Sequence, residues 1–138
     1  MGLRTPKLLI DDDGAISVLL TNKTGANSVQ GEAVKASAAN SLSVVATGIS
    51  EELILGTFRD GGIADGSDAW VQVGGLCLDK LDATGCTQGD WIGSSATAQR
   101  MQGQAASPGS TPLHFQEMGH AVQTAAANTT ARVVRHAN

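Results

Sequence analysis

Gly56–Ile92 reads GTFRDGGIADGSDAWVQVGGLCLDKLDATGCTQGDWI, and this stretch decides the fold. Short apolar runs alternate with Gly, Asp, Ser and Thr turns at intervals of about ten residues, the spacing of a small all-β barrel or sandwich. Ala69-Trp70-Val71-Gln72-Val73 alternates with period two, which places Val71 and Val73 on one face. Gly74-Gly75 interrupts the run, and Leu76 and Leu78 continue it on the opposite parity. A one-residue slip beside a glycine pair predicts a β-bulge or a sharp strand bend. Asp82-Ala83-Thr84-Gly85 and Gln88-Gly89-Asp90 are turn chemistry, the second feeding a strand at Trp91-Ile92.

Working outward, Leu8-Leu9-Ile10, the Asp11–Gly14 turn and a strand from Ala15 to Leu20 form either a hairpin or an extended segment laid on a neighbour. Residues 1–14 are read as an N-terminal arm and 15–138 as a single β-rich domain. Leu42–Ala46 is a strand with Leu42, Val44 and Ala46 on one face. Glu51–Leu55, hemmed in by Gly48 and Gly56, is read as strand rather than helix. Gln99–Pro112 is read as a long polar loop. Met118–Ala125 and Ala131–His136 make a closing hairpin whose last strand carries Val133 and Val134 on opposite faces. Val29–Ala38 (VQGEAVKASA) and Thr87–Ala96 (TQGDWIGSSA) echo one another, as two turn-into-strand units in equivalent places would.

The composition bounds the function. The chain has 138 residues, with 17 Gly, two Trp, two Phe and no Tyr, so its core is built from small side chains. Such a core draws part of its stability from a subunit interface. A net charge of −4 with no basic patch argues against nucleic acid, and scarce aromatics remove single-strand stacking platforms. No apolar run is long enough for a transmembrane helix, and Met1–Pro6 has no signal-peptide core, so synthesis in the cytosol is expected. Cys77 and Cys86 are expected to stay reduced there, although a bridge between them is geometrically possible.

Candidate chemistry falls away on spacing. His114-x-x-Glu117-x-x-His120 is not a zincin motif, and on a strand His114 and Glu117 face opposite ways; His136 adds no convergent ligand. Asp11–Asp13 and the Asp60–Asp68 loop lack the alternating ligands of a calcium loop and read as turn residues. Gly61-Gly62 and Gly74-Gly75 open no phosphate-binding helix. Trp70 and Trp91 read as core or interface anchors before a sugar platform. The expectation is no catalytic residue, no metal and no cofactor.

One pattern runs from about Val29 to the end: Gly56 to Gly66 with Gly-Ile-Ala at its centre, Trp70-Val71-Gln72-Val73-Gly74-Gly75, Gln88-Gly89-Asp90-Trp91-Ile92, and the hairpin from Gly119 to Val133. It resembles the capsid decoration (cement) proteins of tailed bacteriophages. The resemblance implies a β-rich virion protein that binds the outer surface of an expanded capsid, partners the major capsid protein and itself as a homotrimer, and reinforces the shell without catalysis. No functional residue carries over from that family. Position and composition nominate the capsid-facing residues: Arg4, Pro6, Lys7, Leu8, Leu9 and Ile10 in the arm, and Gln104, Pro108 and Pro112 in the long loop. The competing readings are a head-fibre receptor- or glycan-binding module, which needs an exposed aromatic cluster, and a cupin-type metalloenzyme, which needs His and Glu converging inside a barrel.

Overall fold

One long strand organises the molecule. The computed structural model describes residues 7–51, 53–104 and 117–135, and among them it is all-β. The ten strands are β1 Leu8–Ile10, β2 Ala15–Asn22, β3 Ala33–Ala36, β4 Ser43–Ala46, β5 Gly56–Phe58, β6 Asp68–Lys80, β7 Trp91–Ser94, β8 Met101–Gln104, β9 Glu117–Ala121 and β10 Thr130–Arg135. They form one continuous sheet ordered β1-β2-β4-β3-β5-β6-β10-β9-β7-β8, with β2 also paired to β6.

The extra pairing closes a ring. β2 runs antiparallel to the first half of β6 and meets β4 in parallel at Thr21↔Ser43 and Asn22↔Val44, so β2-β4-β3-β5-β6 returns on itself. Val34, Val44, Phe58, Ala69 and Val71 fill this ring, with Leu20, Ile63 and Val73 packed at its rim. The second half of β6 pairs with β10, and the chain continues through β9, β7 and β8. A parallel bridge, Leu81↔Met101, brings β8 back to the end of β6. That second ring holds Leu81, Ile92, Met101, Ala121, Ala131 and Val133.

The two rings are copies of one plan. Leu20↔Ala69 and Val18↔Val71 in the first correspond to Asp79↔Ala131 and Cys77↔Val133 in the second. Val34↔Gly56 and Ala33↔Thr57 correspond to Ile92↔Gly119 and Trp91↔His120. The parallel contact falls at the same step: Asn22↔Val44, then Leu81↔Met101. The loops agree as well. Gly31 N–H donates to Phe58 O at 2.8 Å and Gly89 N–H to Ala121 O at 2.9 Å; Ser67 N–H donates to Ala64 O and Thr129 N–H to Ala126 O. Gly31 and Gly89 share a left-handed backbone at φ 83° and 93°. The Gln-Gly-acid echo therefore marks a structural duplication. β6 is the last strand of one unit and the first of the next.

The slip in β6 is real. Ile16 pairs with Gly74 but Ser17 pairs with Gln72, so Val73 is the extra residue, one place before the glycine pair. Directly opposed residues share a face, and the slip therefore carries the Val71 face on to Leu76 and Leu78, as the parity predicts. The core changes sides instead: Cys77 and Asp79, on the other face, are fully buried while Leu76 and Leu78 are half-exposed.

Other expectations need correcting. Glu51 and Leu53–Leu55 are not strand; the Glu51 carboxylate accepts from Lys35 Nζ at 2.7 Å and from the Gly48 and Leu53 N–H groups, which holds a loop that ends where β5 begins. Leu42 lies outside β4 with φ 51° and its side chain is 73% exposed. The polar stretch after Gln99 contains strand β8, because Met101 is buried in the second ring. Of the two arrangements open to Leu8–Leu20, the structure takes the hairpin, with β1 at the free end of the strand order.

Candidate functional site

Three features are left once the cores are accounted for. The first is the edge hairpin. Leu8 lies opposite Val18 and Ile10 opposite Ile16, so these four share one face of β1–β2 with Leu20. Leu8, Ile10 and Ile16 are 57%, 68% and 37% exposed. Leu9 falls on the other face, opposite the buried Ser17, and is half-buried. Lys7 is exposed, and its carbonyl accepts from Leu19 N–H at 3.0 Å. Gln104 is half-buried on β8 opposite Trp91, at the other end of the strand order from the hairpin. The structure thus brings Lys7–Ile10 together and does not bring Gln104 to them. Arg4, Pro6, Pro108 and Pro112 lie outside the described residues, as do His114 and His136. Ile16 was missed, although the alternation of Ala15–Leu20 puts it on the face of Val18 and Leu20.

The second feature is a cleft of about 380 Å³ behind the hairpin turn, lined by Asp11, Asp12, Asp13, Asp60, Arg59 and Arg132 among others. Arg59 Nε donates to Asp11 Oδ2 at 2.8 Å and its Nη1 to Asp60 Oδ2 at 2.9 Å, while Arg132 Nη2 reaches Asp13 Oδ2 at 3.4 Å. The hydrogen bond to Asp11, followed by that to Asp60, raises the Arg59 pKa above its ordinary value against the effect of burial. These pairs tie the turn to Arg59, just after β5, and to β10. Backbone fixes it too: Leu76 N–H donates to Gly14 O at 3.0 Å. Two carboxylates of the Asp60–Asp68 stretch bind it to β2 and the loop after it, Asp65 accepting from Gly25 N–H and Asp68 from the Thr21 hydroxyl. Among the described residues no group of three or more His, Cys, Asp and Glu is placed to hold a metal ion.

The third feature is the polar junction between the units. Arg135 and Asp79 pair there, both buried, and Thr57 bonds to both. Thr57 Oγ1 also donates to Leu78 O, and Gln72 Oε1 accepts from Leu78 N–H at 2.9 Å, so side chains complete a stretch of β6 where strand pairing lapses. Cys77 and Cys86 are free and buried, and desolvation pushes both thiol pKa values up. Trp91 and His120 stack edge to face, with ring centroids 5.3 Å apart.

No family model and no curated protein matches the sequence.

Proposed function

We propose that this chain is a structural protein of a tailed-phage virion, a decoration protein that binds the outer surface of the capsid and stabilises it. The observation that carries the reading is the apolar lip of the edge hairpin. Leu8, Ile10 and Ile16 stand exposed on one face of the β1–β2 hairpin, and the outer edge of its end strand β1 has no partner among the described residues. An exposed apolar edge of this kind is a contact surface for another protein, and it lies on the segment nominated for capsid contact. The cleft supports a structural role as well: two of its four carboxylates, Asp11 and Asp13, and both its guanidiniums tie the hairpin turn down. Binding repeated over many equivalent positions stabilises a shell with only modest affinity per contact, by mass action on the assembled state.

The test adds purified protein to undecorated expanded capsids. Co-sedimentation with a rise in the shell's melting temperature is expected. A chain that neither co-sediments nor shifts capsid melting defeats the reading, and a glycan screen then takes up the receptor-binding alternative.

A further inference from the structure

The cleft behind the hairpin turn keeps polar groups that the fold does not use. Gln72 lines it and is 5% exposed. Its Oε1 accepts from Leu78 N–H, but its Nε2 donates to nothing among the described residues. A donor that is neither bonded nor sealed inside the protein has the cleft to face. Asp12 also lines the cleft; it is exposed and enters no hydrogen bond or ion pair among the described residues.

An aromatic ring stands beside these groups. Trp70 lies two residues before Gln72 on β6, so the two side chains share a face. Arg59 N–H donates to Trp70 O at 2.9 Å, which continues the register of Thr57↔Gln72 and Phe58↔Val71 and sets Arg59 opposite Trp70. Trp70 thus sits next to two residues that line the cleft, Gln72 along its own strand and Arg59 across from it. It is half-exposed, and its Nε1 has no acceptor among the described residues. Ala15 lines the cleft while the next residue, Ile16, belongs to the apolar lip, so cleft and lip occupy opposite faces of β2. Contact through the lip leaves the cleft open.

The chemistry of the lining selects the ligand. Four carboxylates repel an anion. Two guanidiniums and the Gln72 amide donor do not suit a cation, and among the described residues no group of three or more His, Cys, Asp and Glu is placed to hold a metal ion. A neutral polyhydroxyl compound suits both kinds of group, because each hydroxyl accepts as well as donates. One sugar ring offers acceptors to Gln72 Nε2, donors to Asp12 and an apolar C–H face to the Trp70 indole. The volume of about 380 Å³ falls within the ~300–1,000 Å³ of small-molecule sites.

We infer that this cleft binds a neutral saccharide unit, with Gln72 and Asp12 as its hydrogen-bonding groups and Trp70 as the platform beside them. The site is additional to capsid decoration and does not rest on it.

The test records proton–nitrogen correlation spectra of the intact chain while glucose, galactose, N-acetylglucosamine and their methyl glycosides are titrated in. Saturable shifts of the Trp70 indole and Gln72 side-chain amide signals are expected with one or more of these sugars. Asp12→Ala removes an exposed side chain with no internal partner. It is expected to weaken binding about tenfold or more, the loss of a hydrogen bond to a charged group, with the melting temperature unchanged. Trp70→Leu is expected to weaken it as well. Methyl glycosides that bind as well as free sugars place the ligand in a glycan chain, and methyl glycosides that are refused make it a free sugar; either result supports the site. No shift of the two signals with any of the sugars, or binding that survives both substitutions unchanged, overturns it. Asp12→Ala is expected to co-sediment with capsids as the wild type does, because the lip is untouched. A chain that binds capsids and no sugar defeats this inference alone, and one that binds sugar and no capsid defeats only the decoration reading.

Discussion

Arg135 Nη2 lies 2.5 Å from Asp79 Oδ1, and the two side chains are 1% and 0% exposed. A second prong, Nη1 to Oδ2, measures 3.3 Å, and Nη2 also donates to Thr57 Oγ1. Burial works against the guanidinium charge, but the Asp79 carboxylate outweighs it and raises the Arg135 pKa. Arg135 Nε has no partner, so the pair is incompletely satisfied. The duplicated positions in the first unit hold Leu20 and Val73. One backbone plan is thus stabilised by apolar packing in one copy and by a buried ion pair in the other.

That relationship predicts a non-additive cycle. Removing one partner, as Arg135→Val or Asp79→Leu, strands a buried charge and should cost about 3–5 kcal/mol. The double change Asp79→Leu with Arg135→Val copies the first unit and should be near neutral, or stabilising by up to about 4 kcal/mol. Urea denaturation of the four proteins measures it. A double variant as unstable as the sum of the singles would contradict the equivalence of the two rings.

The duplication also pairs two glycines. A Cβ on Gly56 would run into the Gln72 carbonyl oxygen, and one on Gly119 into that of Val134. Alanine at either site should destabilise by about 1–3 kcal/mol, as overpacking does. Gly48→Ala, whose Cβ would come no nearer than 4.0 Å to the Glu51 carboxylate, should be close to neutral. Thermal melts of the three variants decide it; a tolerated Gly119→Ala would mean that β9 and β10 lie farther apart than described.

Both thiols should be slow to react. Desolvation raises the folded pKa of Cys77 and Cys86 above the unfolded value, so the folded state favours the neutral thiol. The resulting stability is fully present below the unfolded pKa, near ~8.5, and is lost as pH rises through the folded values. Native protein at pH 7 should resist iodoacetamide and yield two labelled cysteines after unfolding, and its melting temperature should fall in alkaline buffer. Rapid native labelling would show that the thiols are not enclosed.

Deletion of residues 1–10 should leave a folded domain. β1 sits at the end of the strand order, and the first ring closes through β2, β4, β3, β5 and β6 without it. Strand circular dichroism should persist while capsid co-sedimentation is lost. If the shortened chain unfolds, the hairpin belongs to the core.

Local signals in the sequence foretold local structure. The parity change across Gly74-Gly75 foretold the bulge, and the Gln-Gly-acid repeat foretold the equivalent turns before β3 and β7. Val133 and Val134 do lie on opposite faces, but the last strand is not covered on both sides: Val133 is buried and Val134 is 45% exposed. Elements set by partners distant in the chain were not legible. β8 is a strand because Met101 fills a ring built from β6, β7, β9 and β10, and its own residues Gln102, Gly103 and Gln104 read as loop. Glu51–Leu55 looks extended in isolation, yet the Glu51 carboxylate gathers Lys35 and two amides into a turn. Asp79 and Arg135 are 56 residues apart, and no spacing rule links them. Of the candidate surface, the run Leu8–Ile10 was visible as apolar sequence; Ile16 needed the register.

The central claim, that this protein decorates the outside of a capsid, is tested most directly by a reconstruction of the particle from which it comes. Density that fits the two-ring fold is expected on the outer surface at three-fold or quasi-three-fold positions, with the Leu8–Ile10 hairpin against the shell or a neighbouring copy. A reconstruction with no such density on the shell, or with the fold confined to a fibre or tail, would contradict it.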